Sequence, residues 1–428
     1  MRVSLALALA AMAVAGCKSK STAGSGDDAA PVAAGPAGTA SGMEPTPVGR
    51  GAVETETMPR DDHGHDHAAD CPIDDPRNAD AALDEAAHRY DRGQFEVALG
   101  CTELAVDLIP QAVEAHHLHA AALAALERYP EAQTAFTMAV ALDPDDPETL
   151  AAAADFYVNV SAPKSRDLTM LGLEYARRGS DKASTRRRRD RELRARLSLL
   201  EAQALNDLGR SDEALPRVDD TLRLAPSSIA ARYERGVSKF NLCRFDAAYT
   251  ELATVLAAAP DDPYAHFHIG LIFERNGRGP DAEAHFERAR KLAPDDFPAP
   301  VLLTEAAFRA ELDEAVAELP DDVRAMLGEV PVTVRDLPEL DDLAAVDPPF
   351  APTILGLYRG LPIGVDAAAK AGAAADVPPR AIVLYRLNLA RAVRTRDELD
   401  QQIRKTLLHE IGHLKGLDEG QLRRRGLE

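Results

Sequence analysis

The chain has 428 residues, 49 of them basic and 70 acidic, for a formal net charge of −21. That balance argues against nucleic acid as a partner, because phosphate binding needs a basic surface. Aromatic residues make up 5% and tryptophan is missing, while alanine is abundant, which suits a helical protein too long for one small domain.

The chain starts Met1-Arg2, then runs apolar from Val3 to Ala15, then reads Gly16-Cys17-Lys18. A basic start, a short apolar core and small residues predict a secretory signal over 1–17. Val14-Ala15-Gly16-Cys17 resembles the bacterial lipobox. The resemblance implies cleavage before Cys17, lipidation of that cysteine and attachment to a membrane of the cell envelope. Lys18 is not the aspartate that retains lipoproteins in the inner membrane of enteric bacteria. The expected location is therefore the outer membrane, facing the periplasm. Cys71, Cys101 and Cys243 remain, and at most one pair forms in an oxidising compartment. Cys101 and Cys243 fall within helical patterns, where a small buried cysteine is the expectation.

Residues 18–77 are rich in Ala, Gly, Pro, Ser and Asp without a sustained period, and read as a disordered linker. Such a tether holds the folded part on the order of 40 Å from its anchor. It contains His63, His65 and His67 among acids. These are expected as polar linker, since a disordered loop must order itself to chelate tightly.

From 78 to 296 the chain repeats itself. Pro110 and Pro144, then Pro226, Pro260 and Pro294, are spaced by 34 residues within each group, and an extra 14 residues separate the groups. Ala98, Ala132, Ala214, Ala248 and Ala282 each precede their proline by 12. Gly93, Gly209 and Gly277 precede theirs by 17, at an expected turn. Gly236 and Gly270 precede theirs by 24, where two helices pack closely. This pattern resembles the tetratricopeptide repeat, with five clear units and a degenerate one over about 147–192. The resemblance implies a superhelix whose concave face binds a protein partner or substrate. Tyr233, Phe240, Tyr264 and Phe267 stand either in that groove or, as helical-spaced aromatics more often do, in the core. The spacing of His116, His117 and His119 singles out no metal site. The basic run Arg186–Arg189 reads as a solvated loop or helix start.

Past Pro294 the period is lost, and 297–428 reads as a small α+β unit. A helix is predicted over Ala306–Leu319. Strands are predicted over Val330–Val334, Ile354–Tyr358 and Ala381–Tyr385, with an Ala/Gly-rich loop at about 366–376. The fold class is thus mostly α: a repeat superhelix followed by a small α+β domain.

The chemistry sits near the end of this unit. His409-Glu410-Ile411-Gly412-His413 is H-E-x-x-H. On a helix the two imidazoles leave one face a turn apart and can share Zn²⁺, while Glu410 can take a proton from a zinc-bound water. Leu399, Ile403, Leu407, Ile411 and Leu414 form an apolar stripe. Thr406, His409, Glu410 and His413 fall on a different face, expected to present the metal. Asp397 and Glu398 favour the helix start, and Gly416 is a natural stop. Gly416 also lets the chain turn back, so the third ligand is expected at Glu419, with Asp418 as the alternative. The spacing places Glu419 where metzincin proteases carry their third ligand, usually a histidine; the Met-turn of that group is missing.

The unit also contains Phe308, Leu319-Pro320, the segments 332–338, 355–360 and 382–386, and Arg404–His413 with 416–419. Together these resemble a family of minimal bacterial zincin-like metallopeptidases. The resemblance implies a zinc peptidase fold and a substrate added as a strand to one of the strands 354–358 or 381–385. Tyr358, Arg359, Tyr385 and Arg386 are candidates for the oxyanion partner. The expected function is a membrane-anchored zinc peptidase whose repeats recruit a partner or substrate. The alternative is a non-catalytic scaffold lipoprotein with a zinc-binding or latent zincin domain.

Overall fold

The computed structural model describes residues 71–183, 188–328, 330–365 and 378–427. The expected signal segment, Cys17, the histidines at 63–67 and the loop at 366–376 lie outside the described residues.

Residues 79–292 fold into paired helices. α1 (Ala79–Asp91) pairs with α2 (Phe95–Leu108), and α3 (Val113–Ala125) with α4 (Tyr129–Leu142). α5 (Pro147–Asp155) pairs with α6 (Arg166–Lys182), and α7 (Arg188–Asp207) with α8 (Ser211–Leu224). α9 (Ile229–Asn241) pairs with α10 (Phe245–Ala258), and α11 (Pro263–Arg275) with α12 (Gly279–Leu292). The turn glycines Gly93, Gly209 and Gly277 take φ of +72°, +73° and +71°. This left-handed region is open to glycine at little cost. Gly236 and Gly270 sit where helices meet: a Cβ on Gly270 would lie 2.6 Å from the Phe286 ring. The degenerate unit absorbs its extra residues in a π-helical turn over Phe156–Val160 and in the long α6 and α7. Arg188 and Arg189 open α7, and exposed Arg189 pairs with Glu148.

Tyr233, Phe240, Tyr264 and Phe267 belong to the core, each at most 8% exposed, packed with Phe286 and Phe297. The three clustered histidines face separate partners: His116 the Pro110 carbonyl, His117 the Thr149 hydroxyl and His119 the Thr102 hydroxyl. Cys101 is a correction. It is not a lone buried thiol but forms a disulfide with Cys71, which pins the end of the linker to α2. The sequence carries no signal for this, because Cys71 precedes the first periodic residue. Cys243 is a second correction, since it lies in the turn between α9 and α10 rather than in a helix. It holds the position of the turn glycines, with φ +58°, and is half-buried.

The second unit follows with α13 (Glu305–Ala317), α14 (Asp321–Leu327), β1 (Val332–Arg335), α15 (Leu340–Leu343), β2 (Gly356–Arg359), β3 (Ala381–Tyr385), α16 (Arg386–Arg391), α17 (Arg396–Leu414) and α18 (Glu419–Arg424). The strand order is β1-β3-β2, with β1 parallel and β2 antiparallel to β3. The central strand is therefore β3, and β2 is an edge. The stripe Leu399, Ile403, Leu407, Ile411 and Leu414 is at most 2% exposed and packs on Phe308, Leu312, Val334, Ile382 and Leu384.

The two units dock. Arg391 pairs with Glu274 and lies 4.8 Å over the Phe286 ring. Arg275 donates to the Pro338 carbonyl at 2.8 Å and Arg394 to that of Asp295 at 2.6 Å. The Cys243 thiol meets the Phe350 carbonyl at 3.6 Å and packs against the buried cluster of Leu343, Phe350, Ile354, Val383 and Tyr385.

The Cys71–Cys101 bridge closes a loop with a sequence separation of 30. Cys71→Ser is expected to lower stability by about 2–4 kcal/mol. Denaturant melts of residues 71–428 with and without reductant measure this, and reductant should leave the variant unchanged.

Candidate metal centre

Helix α17 opens on Thr395. Its hydroxyl accepts from the Glu398 N–H while the Glu398 carboxylate accepts from the Thr395 N–H, a capping box. The acids Asp397 and Glu398 mark this start in the sequence, but the Thr395 cap is visible only in hindsight. Nineteen residues carry the helix from Arg396 to Leu414. His409 and His413 end one turn apart, with ring centroids 4.8 Å from each other.

The face bearing them is covered as well. Thr406, His409 and Glu410 are 0%, 1% and 5% exposed. Two close crossings explain this. On one side β2 passes over the helix: a Cβ on Gly356 would sit 2.7 Å from Thr406 Cγ2 and 3.0 Å from Glu410 Oε1. On the other side α18 packs at Gly412, where a Cβ would run into buried Leu422. Only glycine permits either approach.

Gly416, at φ +80°, reverses the chain after α17. Asp418 then caps α18 by accepting from the Gln421 N–H at 2.8 Å. Its Oδ1 is thereby engaged at the helix end. As the first residue of α18, Glu419 faces the imidazoles. Its Oε1 lies 2.8 Å from His413 Nε2 and 3.7 Å from His409 Nε2, and the two Nε2 atoms are 3.1 Å apart. The ligand atoms of His409, His413 and Glu419 all lie within 4.8 Å of one another, so this group could hold a metal.

The backbone sets the polarity of the group. His409 Nδ1 lies 2.7 Å from the Leu427 carbonyl and His413 Nδ1 lies 3.1 Å from that of Leu417. A carbonyl only accepts, so each Nδ1 carries a proton and donates. In neutral imidazoles each Nε2 is then a lone pair. Two nitrogen lone pairs and a carboxylate oxygen converge, and Glu419 Oε1 is buried with no hydrogen-bond donor. Such a trio repels itself unless a cation, metal or proton, sits among its members. That is the donor chemistry expected of a metal centre.

Without metal, protons take that role. Burial works against a charged His409, but Glu419, the Glu410 charge and the Leu427 carbonyl outweigh it and push its pKa up to about 9. His413 is raised likewise: burial opposes its charge, and Glu419 leads the groups that favour it. Burial works to raise Glu419, yet the two imidazoles hold it down at about 2. Burial raises Glu410, against the pull of His409, His413 and the Tyr358 N–H.

The oxyanion candidates are engaged elsewhere. Tyr358 donates its hydroxyl to the Leu361 carbonyl. Arg359 and Tyr385 both turn to Asp342, and Arg386 to Asp336 and the Leu303 carbonyl. Sequence reasoning missed the two carbonyls of Leu417 and Leu427. No side-chain signal marks a backbone acceptor.

Comparison with known proteins agrees with this division of the chain. Residues 327–427 match the family of zincin-like metallopeptidases, and residues 233–297 match the tetratricopeptide repeat. The chain thus carries tetratricopeptide repeats followed by a zincin-like domain. No curated protein matches it. Among solved structures, PilF of Pseudomonas aeruginosa is 15% identical; the match covers 54% of this chain and 97% of that one, with a TM-score of 0.42. The Cut9–Hcn1 hetero-tetramer of the APC/C is 16% identical over 53% of this chain and 42% of the other, with a TM-score of 0.44. A tetratricopeptide repeat protein from Parabacteroides merdae is 14% identical over 51% and 80%, with a TM-score of 0.40.

Two outcomes follow for the centre. In the metal-free protein, His409 is raised from 6.5 to about 9, so its stabilising charge is full below 6.5 and lost as pH rises through 9. Glu419 is lowered from 4.5 to about 2, so its contribution is present above 4.5 and lost as pH falls through 2. Metal uptake near pH 7 must therefore release protons, and apparent affinity should climb between pH 6 and 9. Calorimetry in buffers of differing ionisation heat counts those protons. Second, deleting residues 427–428 removes the carbonyl partner of His409. Metal affinity is expected to fall by about 10- to 100-fold while the far-ultraviolet spectrum is kept.

Proposed function

We propose that the chain is a zinc-dependent peptidase held at a membrane of the cell envelope, with its repeats recruiting a protein substrate or partner. The observation that carries the catalytic part is the meeting of three ligand atoms, the Nε2 atoms of His409 and His413 and Oε1 of Glu419, beside the buried carboxylate of Glu410. Two imidazoles and one carboxylate form the donor set of catalytic zinc sites that keep an open position. Zinc held there would lower the pKa of a bound water toward about 7 and polarise a carbonyl.

The chain's own residues do the rest. Glu410 receives the water's proton on its carboxylate and returns it to the departing amine. Burial has already raised its pKa, which suits a group that must both take and give a proton. The substrate is positioned by β2. The Tyr385 N–H donates to the Leu355 carbonyl, so by alternation Leu357 and Arg359 turn their backbone groups to β3. Gly356 and Tyr358 then turn theirs to the outer edge, where Glu410 already accepts from the Tyr358 N–H, so an incoming peptide pairs with Gly356. An extended peptide added there would lie across the metal group.

The anchoring part rests on the lipobox resemblance at Cys17 and is supported by the Cys71–Cys101 bridge, which belongs to an oxidising compartment. Among the described residues no helix is long and apolar enough to cross a membrane.

The deciding experiment is zinc content and cleavage of unfolded casein by residues 71–428 beside Glu410→Gln. The parent is expected to hold about one zinc per chain and to cut. Glu410→Gln should keep the zinc and lose at least about 100-fold in rate. Zinc in both without cutting in either would favour the non-catalytic scaffold.

A further inference from the structure

Strand β2 and the chain after it run alongside α17, past the metal group. Gly356 lies against Thr406 and Glu410. Seven residues later, the Ile363 N–H donates at 2.8 Å to the carbonyl of Leu414, the residue after His413. Pro362 lies against Gly416, 3.4 Å from where a Cβ would be. The segment is held firmly. The Tyr358 hydroxyl and Arg380 Nε both donate to the Leu361 carbonyl at 2.6 Å, and Arg380 Nη2 donates to that of Pro362 at 3.0 Å. It is a fixed rim beside the centre.

The rim presents apolar side chains. Ile363 is 44% exposed and Val365 is 39% exposed. Single exposed apolar residues are ordinary on any surface. Here two stand within three positions, on a segment hydrogen-bonded to the helix that carries His409 and His413, one residue past His413. Arg380 already uses Nε and Nη2 on carbonyls, so it does not offer those atoms to an acidic side chain.

We propose that Ile363 and Val365 form a subsite for an apolar side chain of the peptide substrate, on the amino-terminal side of the bond that is cut. This rests on the peptidase reading. The direction follows from the geometry. Gly356 is level with Glu410, and Ile363 with Leu414, so β2 and its continuation run the same way as α17. An added antiparallel strand, the more stable pairing, runs the other way. Its residues before the scissile bond then meet Ile363, and those after it pass Gly356. Burying Leu, Ile, Val, Met or Phe on the patch removes apolar surface from both partners. Burying a charged side chain there leaves it unpaired.

The test digests a mixed peptide library with residues 71–428 as parent, Ile363→Asp and Ile363→Leu, maps cut sites by mass spectrometry, and measures zinc in each. The parent is expected to enrich apolar residues within the two positions before the cut. Ile363→Asp should keep its zinc, lose the enrichment and drop kcat/KM on apolar peptides by about tenfold or more. Ile363→Leu should behave as the parent. Cutting with no enrichment, enrichment only after the cut, or an unchanged profile in Ile363→Asp overturns the subsite and leaves the peptidase standing. If the parent cuts nothing, the peptidase reading itself fails and the subsite with it.

Discussion

Three acceptor atoms facing one another, two imidazole nitrogens and a carboxylate oxygen, are the constraint on which this domain turns. Alone they repel; with a cation among them they become a clamp. The carbonyls of Leu417 and Leu427 enforce the arrangement by claiming the Nδ1 proton of each histidine. Both carbonyls belong to the stretch that follows α17, as does Glu419. The segment after the helix therefore supplies the third member of the group and sets the direction in which both histidines point.

Holding that group demands a helix covered on every side. One face of α17 packs in the domain core, β2 crosses at Gly356, and α18 crosses at Gly412. Burial on this scale is what raises Glu410, because a carboxylate loses its water on folding. The same crossing brings the outer edge of β2 beside that carboxylate, which accepts from the Tyr358 N–H. Glu410, the outer edge of β2 and the group of His409, His413 and Glu419 are thus placed by one packing arrangement.

The repeats are attached to this arrangement rather than hung beside it. The turn between α9 and α10 would be easiest with glycine, as in three sister turns. Cys243 takes φ +58° there instead, and its side chain packs against the cluster that contains Phe350. A non-glycine residue in the left-handed region costs on the order of 1 kcal/mol, and contact with the second unit offsets it. Glu127 takes the same conformation, at φ +61°, so the turn tolerates residues other than glycine. Leu357 of β2 packs against that same cluster.

Much of this was legible from residue patterns. The 34-residue period defined the helical hairpins, because each must bury the same small residues against its neighbour. The apolar stripe defined α17, and H-E-x-x-H defined its histidines. Strand Ala381–Tyr385 was read with its full bounds, since it is buried and β-rich. What the sequence alone determined was therefore local and periodic: helices, repeats and the helix that carries His409, Glu410 and His413. Tertiary structure decided what depends on distant segments meeting. It set Glu419 against the imidazoles and left Asp418 as a cap. It joined Cys71 to Cys101, sent the four oxyanion candidates to other partners and made β2 the edge. Each of those outcomes depends on where a turn sends the chain and which backbone atoms then come within hydrogen-bond reach, and no pattern of side chains encodes that directly.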